Sequence, residues 1–559
     1  LSFDEDICRY YPYGALLSQV LGLTTVDSEG QSGLESRYED VLRGTEGSYL
    51  RQVDARNRQL DGTEGWYIPS QQGCGLVLTI DAEIQEMVEK AMRECIEVNQ
   101  AQSVICLVSD VKTGAILAMC MNPCYDPNDP PRNDAETLTE LMRLTAISDV
   151  YEPGSTFKIL TAASALDSGV TTPQDSFYCS AKITVDGDTI RCWGRPHGAE
   201  TMADGLKNSC NPVFVELALR MGTDTFYRYL TAFGLGKKTG IDLPGEGSPG
   251  ILITSRNVKR VDLARIGFGQ SVALTPIQMM MAANSVINGG KLMKPYIVSE
   301  IQTPDGETLE RFHPTVMAAP IRPETSDTMR LLLERVVSEG GGKNAAIAGY
   351  RIGGKTGTAQ VYKNGRVVRD THIGSFYGFA PVNDPQVSIL VIVKEADVPI
   401  DYGGTTAAPF ARQIMQEMLP YLGIEPENDE KDEEIEVPAL KGLTIGDAKR
   451  KLSQVGLESV TDGANTVVLD QLPPAGAKLV KGGHVMLYTA GSEELTPEEL
   501  VCVPDLTGLG DVDCARLVRQ RGLMMSMTGQ GLCIEQSPAA GEYVQPGTTI
   551  FLLMAGDDE

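Results

Sequence analysis

Histidine is scarce in this chain, with four residues (His197, His313, His372, His484), and none of the twelve cysteines lies in a Cys-x-x-Cys pair. Zinc-type ligand spacing is therefore absent, and neither a metal nor any other cofactor is expected. Cys95, Cys106 and Cys120 sit among apolar neighbours and read as packing residues rather than redox centres. No run approaches the ~20 apolar residues that cross a bilayer, and the apolar stretch from Ser388 to Val393 reads as a buried strand. The chain starts at Leu1 rather than Met and carries no charged-then-apolar leader, so a cleaved or omitted upstream piece is expected. Basic residues are in deficit, 48 Lys and Arg against 75 Asp and Glu, a formal net charge of -27. Such a chain is not built to hold phosphate backbones, which excludes nucleic acid as a partner. The acidity serves either solubility or some more specific role.

What is present is a soluble globular composition, 42% hydrophobic and 22% charged, which neither a fibrous nor a disordered chain would show. Its 559 residues exceed one ordinary domain, so several are expected. The clearest boundary is acidic, Glu425 to Glu436, without the apolar periodicity of helix or strand. Beyond it the chain repeats itself. Val437-Pro438-Ala439-Leu440-Lys441-Gly442-Leu443 returns as Val503-Pro504-Asp505-Leu506-Thr507-Gly508-Leu509, each copy followed by a helix-like stretch ending in Gly456-Leu457 or Gly522-Leu523. Pro473-Pro474-Ala475-Gly476 and Ser537-Pro538-Ala539-Ala540-Gly541 follow, then alternating strands. These copies resemble PASTA modules, which are similar across wall-synthesis enzymes and wall-sensing kinases. The chain has no Val-Ala-Ile-Lys, His-Arg-Asp or Asp-Phe-Gly sequence, so a kinase is excluded.

Ahead of the linker, Val104 to Val108 and Ala115 to Met119 flank a turn and read as a hairpin. Thr137 to Gly169 and Ala203 to Leu219 read as mainly helical, and Ser375 to Val393 returns to strand. Strand pairs split by a long helical insertion predict an α+β domain with an antiparallel sheet. The expected division is 1–70 as a separate N-terminal module, 71–424 as the main domain, 425–436 as linker, 437–491 as the first repeat, and 492–559 as the second with its short linker.

Acyl transfer requires a nucleophile, a base and donors aimed at the oxyanion. In Ser155-Thr156-Phe157-Lys158, helical spacing puts Lys158 one turn beyond Ser155 and within reach of its hydroxyl. Glu152-Pro153-Gly154 favours a helix start there, so Ser155 lies near the positive end of the dipole. Lysine serves as a base only when burial or a cationic neighbour depresses its pKa. Lys355-Thr356-Gly357-Thr358-Ala359 reads as a strand in which Gly357 allows close backbone approach and along which a peptide substrate could dock. Lys355 would keep the site electropositive, Thr356 and Thr358 would hold a substrate carboxylate, and the amides of Ser155 and Thr358 are oxyanion-hole candidates. In Ser209-Cys210-Asn211, Ser209 could relay a proton and Asn211 could bond substrate backbone.

Each motif alone is weak, since Ser-x-x-Lys is expected about twice in a chain of this length. Ser109 to Lys112, Lys112-Thr113-Gly114, Lys238-Thr239-Gly240 and Ser255-Arg256-Asn257 match as well. The first two share Lys112 and sit in a hairpin turn, and all four are read as structural. Order and flanks distinguish the chosen set. Tyr151 to Lys158, Asn208-Ser209-Cys210-Asn211-Pro212 and Gly354 to Gln360 resemble the active-site segments of class B penicillin-binding proteins. Gly267-Phe268-Gly269-Gln270, Leu274-Thr275-Pro276, Ser375 to Pro381 and Tyr402-Gly403-Gly404 extend the resemblance over about residues 10 to 420.

That resemblance implies a penicillin-recognising serine transpeptidase domain with Ser155 as acylated nucleophile, Lys158 as its base, and Ser209, Asn211 and Lys355 completing the site. It further implies peptidoglycan stem peptides as substrates, β-lactam antibiotics as inhibitors, a membrane glycosyltransferase as partner, and an extracytoplasmic location through an N-terminal anchor. The family's cytoplasmic tail, anchor and juxtamembrane Arg-Gly segment are not in this chain, and Gly33-Leu34-Glu35 and Leu42 to Thr45 resemble only the later part of its pedestal module. Water in place of an amine would make the same site a carboxypeptidase or β-lactamase, and a non-catalytic β-lactam sensor or wall-binding scaffold is a further alternative. A disulfide Cys192–Cys210 is one reading of the site cysteines, Cys179–Cys192 another, and free thiols a third. Sporulation-type members of the class resemble this pattern of paired cysteines with a PASTA tail.

Overall fold

The computed structural model describes residues 9–45, 47–50, 66–194, 196–247, 250–363, 366–426, 434–461, 467–480, 483–488, 501–528, 531–544 and 547–555. Of the expected linkers, 427–433 and 492–500 lie outside the described residues.

Helix α1 (Ala82–Asn99) starts at Asp81, whose carboxylate accepts from the amides of Glu83 and Ile84, and it buries Ile84, Val88, Met92 and Cys95 along one stripe. Strands β1 (Ser103–Asp110) and β2 (Ile116–Asn122) form the hairpin expected from the sequence, with Cys106 opposite Cys120. A single turn, Gly154–Phe157, runs into α2 (Lys158–Asp167). Four short strands follow: β3 (Ser176–Cys179), β4 (Lys182–Val185), β5 (Asp188–Arg191) and β6 (Gly198–Thr201), with β3 pairing β6 and β4 pairing β5. Then come α3 (Met202–Lys207), α4 (Asn211–Ala232) and α5 (Pro276–Ile287). Strands β7 (Gly353–Lys363), β8 (Arg366–Ala380) and β9 (Val387–Lys394) complete the sheet, and α6 (Ala408–Tyr421) follows.

The sheet is antiparallel throughout, in the order β7-β8-β9-β1-β2, so β7 is an edge strand. Alternation divides its side chains between two cores. Ile105, Leu107, Tyr377, Phe379, Leu390 and Ile392 pack with α2 and α5, while Val104, Cys106, Phe376, Ile389, Val391 and Val393 pack with α1 and α6. Both faces are covered, which is why β1 and β9 read as continuous apolar runs rather than as alternating ones. Helix α5 is buried along its whole length, as a helix apolar on every side must be. This is the α+β architecture expected from the sequence. Leu17, Val20 and Leu34 join the first of these cores, and the amide of Leu17 donates to Glu89 of α1 at 2.7 Å. Among the described residues no helix is long and apolar enough to cross a membrane.

A second compact unit holds the two C-terminal repeats. In the first, α7 (Ile445–Gln454) accompanies strands β10 (Glu458–Thr461), β11 (Asp470–Leu472) and β12 (His484–Tyr488), ordered β10-β12-β11. In the second, α8 (Asp511–Gln520) accompanies β13 (Met524–Thr528), β14 (Leu532–Ser537) and β15 (Thr549–Ala555), ordered β13-β15-β14. Matching positions are buried: Val437 and Val503, Leu440 and Leu506, Leu452 and Val518, Leu457 and Leu523. Each repeat is also pinned by a glutamine. Gln471 accepts from the Leu440 amide at 2.6 Å and donates to the Pro438 carbonyl, and Gln536 does the same with Leu506, at 2.7 Å, and Pro504.

Candidate active site

Three segments far apart in sequence meet beside the edge strand. Ser155 lies in the turn leading into α2, whose backbone continues in right-handed helical geometry through Phe157 and Lys158, so its amide is at the positive end of that helix. The turn is held from behind: Tyr151 and Leu274 exchange both backbone hydrogen bonds, Gly154 N donates to Gly269 O, and Glu152 accepts from the Ser271 amide. Gly154 has φ +52, and a Cβ there would lie 2.5 Å from Thr358 O. Only glycine lets this turn sit directly against β7. Gly357 is the matching close approach, since a Cβ would meet Ser375 Oγ at 2.4 Å and Pro153 O at 2.9 Å. The close approach expected at Gly357 is therefore made by the turn that carries Ser155 and by β8.

Lys158 is fully buried on the first turn of α2. Its Nζ donates to Ser209 O at 2.6 Å, to Asn211 Oδ1 at 2.7 Å and to Ser209 Oγ at 3.2 Å. Lys355, equally buried on β7, places its Nζ 3.0 Å from the same Ser209 Oγ and 3.1 Å from Thr356 O. One hydroxyl thus joins two lysines. No hydrogen bond among the described residues links Lys158 to Ser155; the ammonium is drawn instead to the oxygens of the Ser209 turn, which offers three acceptors. Burial pushes Lys158 down to about 7, and it pushes Lys355 well below the usual lysine range, with the charge of Lys158 adding to the effect.

Ser209 adopts φ +54, a left-handed conformation rare for a residue with a side chain, and such strain persists only where the surroundings enforce it. Asn211 opens α4, followed by Pro212 in the first turn where its missing amide costs nothing. Asn211 also donates to Arg191 O at 3.0 Å, and Trp193 Nε1 donates to Asn208 O at 2.9 Å, so the end of β5 is tied to this turn. Thr356 and Thr358 are half-buried on one side of β7, while Lys355, Gly357 and Ala359 are buried on the other. Thr358 Oγ1 accepts from Gly403 N at 3.4 Å, and the neighbouring Asp401 is paired with His372 Nδ1 at 2.8 Å. Sequence reading noted Tyr402-Gly403-Gly404 but missed the His372–Asp401 pair that anchors it; nothing in the local pattern marks two residues that meet only across a strand and a loop.

The decoy motifs stay apart. Lys112 pairs with Asp384 on the surface, Ser109 Oγ accepts from buried Asn284, and Thr239 caps onto Glu246.

Of the three readings open for the site cysteines, the structure has the free thiols. Neither disulfide considered from the sequence is formed: Cys179, Cys192 and Cys210 are free thiols. Their sulfurs instead converge, with His197, so that all four ligand atoms lie within 4.8 Å of one another. The expected absence of metal-type spacing held only locally, because the fold assembles Cys-x12-Cys-x4-His-x12-Cys from the ends of β3, β5, β6 and α4. The hydrogen bond from Cys210 holds the Cys192 thiol below its ordinary value, and Cys210 is itself pushed up by that partner and by burial.

Comparison with known proteins accounts for nearly the whole chain. The family described as the penicillin binding protein transpeptidase domain matches residues 104–416, the penicillin-binding protein dimerisation domain matches 1–78, and the PASTA domain matches 435–491 and 501–556. Stage V sporulation protein D of Bacillus subtilis is 38% identical over 501 residues, covering 88% of this chain and 77% of that protein. Peptidoglycan D,D-transpeptidase FtsI of Escherichia coli is 30% identical over 424 residues, covering 76% and 69%. Among solved structures, penicillin binding protein 3 of Mycobacterium tuberculosis, complexed with aztreonam, is similar at a TM-score of 0.67 and 28% identity, covering 75% of this chain and 91% of that one.

Proposed function

The chain belongs to the penicillin-binding transpeptidase family, and from that premise we propose that it cross-links peptidoglycan stem peptides through an acyl-enzyme on Ser155. The observation that carries this reading is Ser209 Oγ lying between two buried lysines, 3.2 Å from one and 3.0 Å from the other, beside the Ser155 turn. Lys158 in its neutral form takes the Ser155 proton as the hydroxyl attacks the D-alanyl carbonyl carbon. The amides of Ser155 and Thr358 hold the oxyanion. As the C–N bond breaks, Ser209 passes the proton to the departing D-alanine, with Lys355 keeping the site electropositive. The acceptor strand's amine then attacks the ester, forming the new amide and returning the proton to Ser155.

Edge strand β7 receives the donor peptide as an added strand, Thr356 and Thr358 hold its carboxylate, Gly357 keeps the strand close to the nucleophile turn, and Asn211 bonds its backbone. A β-lactam enters the same way, but its opened ring stays attached and the ester persists. Residues 71–424 carry this chemistry, 1–70 form a partial pedestal, and the PASTA repeats serve wall binding or spacing. The enzyme works at the extracytoplasmic face of the membrane through an N-terminal anchor, alongside a membrane glycosyltransferase that makes the glycan strands. The test is intact mass after incubation with a penicillin, for wild type and Ser155→Ala. A stable single adduct absent from the variant is expected. Rapid drug turnover would indicate a β-lactamase instead, and an adduct surviving in the variant would move the nucleophile elsewhere.

A further inference from the structure

Cys179, Cys192, His197 and Cys210 belong to no step of the transfer above, yet they form the one such ligand cluster among the described residues and stand next to the Ser209 turn. Three are free thiols and the fourth is an imidazole. Tetrahedral zinc with Zn–S near 2.3 Å places sulfurs about 3.8 Å from one another, which is compatible with the observed 4.8 Å limit. Cys192 Sγ and His197 Nδ1 stand 3.9 Å apart. A disulfide would employ two of the four groups and leave the other two converging without a purpose.

Each ligand sits on a defined piece of scaffold. Cys179 ends β3 and pairs in register with Gly198 of β6, Cys192 follows β5 directly, His197 precedes β6, and Cys210 caps α4 with its amide donating to Gly205 O at 2.8 Å. A second observation points the same way. Glu200 is buried, and its Oε1 has no hydrogen-bond donor although it lies 3.8 Å from His197 Nδ1. A buried anionic oxygen without a donor beside three thiols and an imidazole is compensated by a cation held among them.

We propose that these four side chains bind one zinc ion as a structural Cys3His centre, and that the ion fixes the turn carrying Ser209 by clamping Cys210 to the end of the β4–β5 hairpin. Ser209 precedes Cys210 directly, and its left-handed φ of +54 has to be enforced from outside. Two hydrogen bonds already tie this hairpin end to the turn, Asn211 to Arg191 and Trp193 to Asn208, and the metal converts that strap into a coordinated one. All four positions are filled by protein, leaving none open for substrate or water, so the ion's role is positional. The positioning role rests on the transpeptidase reading above; the metal site does not.

The experiment uses the whole chain without an affinity tag, purified under reducing, chelator-free conditions. Metal content is measured by plasma mass spectrometry for wild type, Cys179→Ser and His197→Ala. The rate of fluorescent-penicillin acylation is then followed before chelation, after it, and after zinc is restored, with circular dichroism as the fold check. One zinc per chain in the wild type, lost in both variants, is expected. Chelation should slow acylation ~tenfold or more and zinc should restore it. A metal-free wild type, or a Cys192–Cys210 disulfide in its peptide map, overturns the site. Bound zinc whose removal leaves the acylation rate unchanged overturns the positioning role. Zinc-loaded wild type that forms no adduct overturns the transpeptidase reading instead, and the stoichiometry still decides the site.

Discussion

At the scale of single residues the site is governed by burial. Lys158 is fully buried, and burial brings its pKa to about 7 despite nearby groups that favour the charged form. The neutral amine is the form that accepts a proton, so penicillin acylation should be slow below that pH, climb through it, and level off above. Stopped-flow acylation across the range checks this, and a flat profile would remove Lys158 as the base. Ser209 separates chemistry from strain. Ser209→Gly removes the hydroxyl between the lysines but relaxes a φ of +54, so the melting temperature should hold or rise while acylation falls ~100-fold or more. Unaltered acylation in that variant would show the shared hydroxyl to be a bystander. The residue types at this site were legible in the sequence because the motifs are contiguous and their flanks are distinctive. The contacts were not, since Lys158 meets Ser209 and Asn211 across 51 and 53 positions of chain.

At the scale of elements, glycine decides how closely they pack. Gly154→Ala would drive a methyl to 2.5 Å from Thr358 O and hold a side chain at φ +52, costing ~1–3 kcal/mol. The Ser155 turn would move off β7, so a lower melting temperature should come together with slower acylation. A variant with normal kinetics would mean that the strand accommodates the shift. The hairpin β1–β2 and strand β9 were readable because their burial leaves an apolar run in the sequence. The zinc-type cluster was not, because its ligands come from the ends of four elements and no local period connects them. Gln471 and Gln536 were missed for a related reason. Glutamine reads as surface in any window, and only the repeat alignment places both opposite the buried amides of Leu440 and Leu506. Gln536→Leu leaves that amide buried without an acceptor, at a cost of ~1–3 kcal/mol to its own repeat. Hydrogen exchange should show faster exchange across α8 and β13 and no change in α2; protection unchanged in both would show the glutamine to be dispensable.

At the scale of the molecule, two compact units divide the chain, and each has hydrophobic cores of its own. Lys158 and Lys355 are buried in the sheet domain beside the core that holds Phe157, Ile159 and Tyr377, whereas the second repeat is held by a small set around Leu506, Val518 and Ile550. Units with separate cores need not unfold together, and a modification that stabilises one native state has no direct purchase on the other. Calorimetry of the full chain should therefore resolve more than one transition. Acylation by a penicillin should raise the transition of the sheet domain, while the one belonging to the repeats stays where it was. Gln536→Leu should do the reverse, lowering the repeats' transition and leaving the drug-sensitive one in place. If instead both transitions move with the drug, the repeats are energetically coupled to the active site and are more than wall-binding or spacing modules. That result would give an acidic, repeat-bearing tail a regulatory part in the chemistry at Ser155.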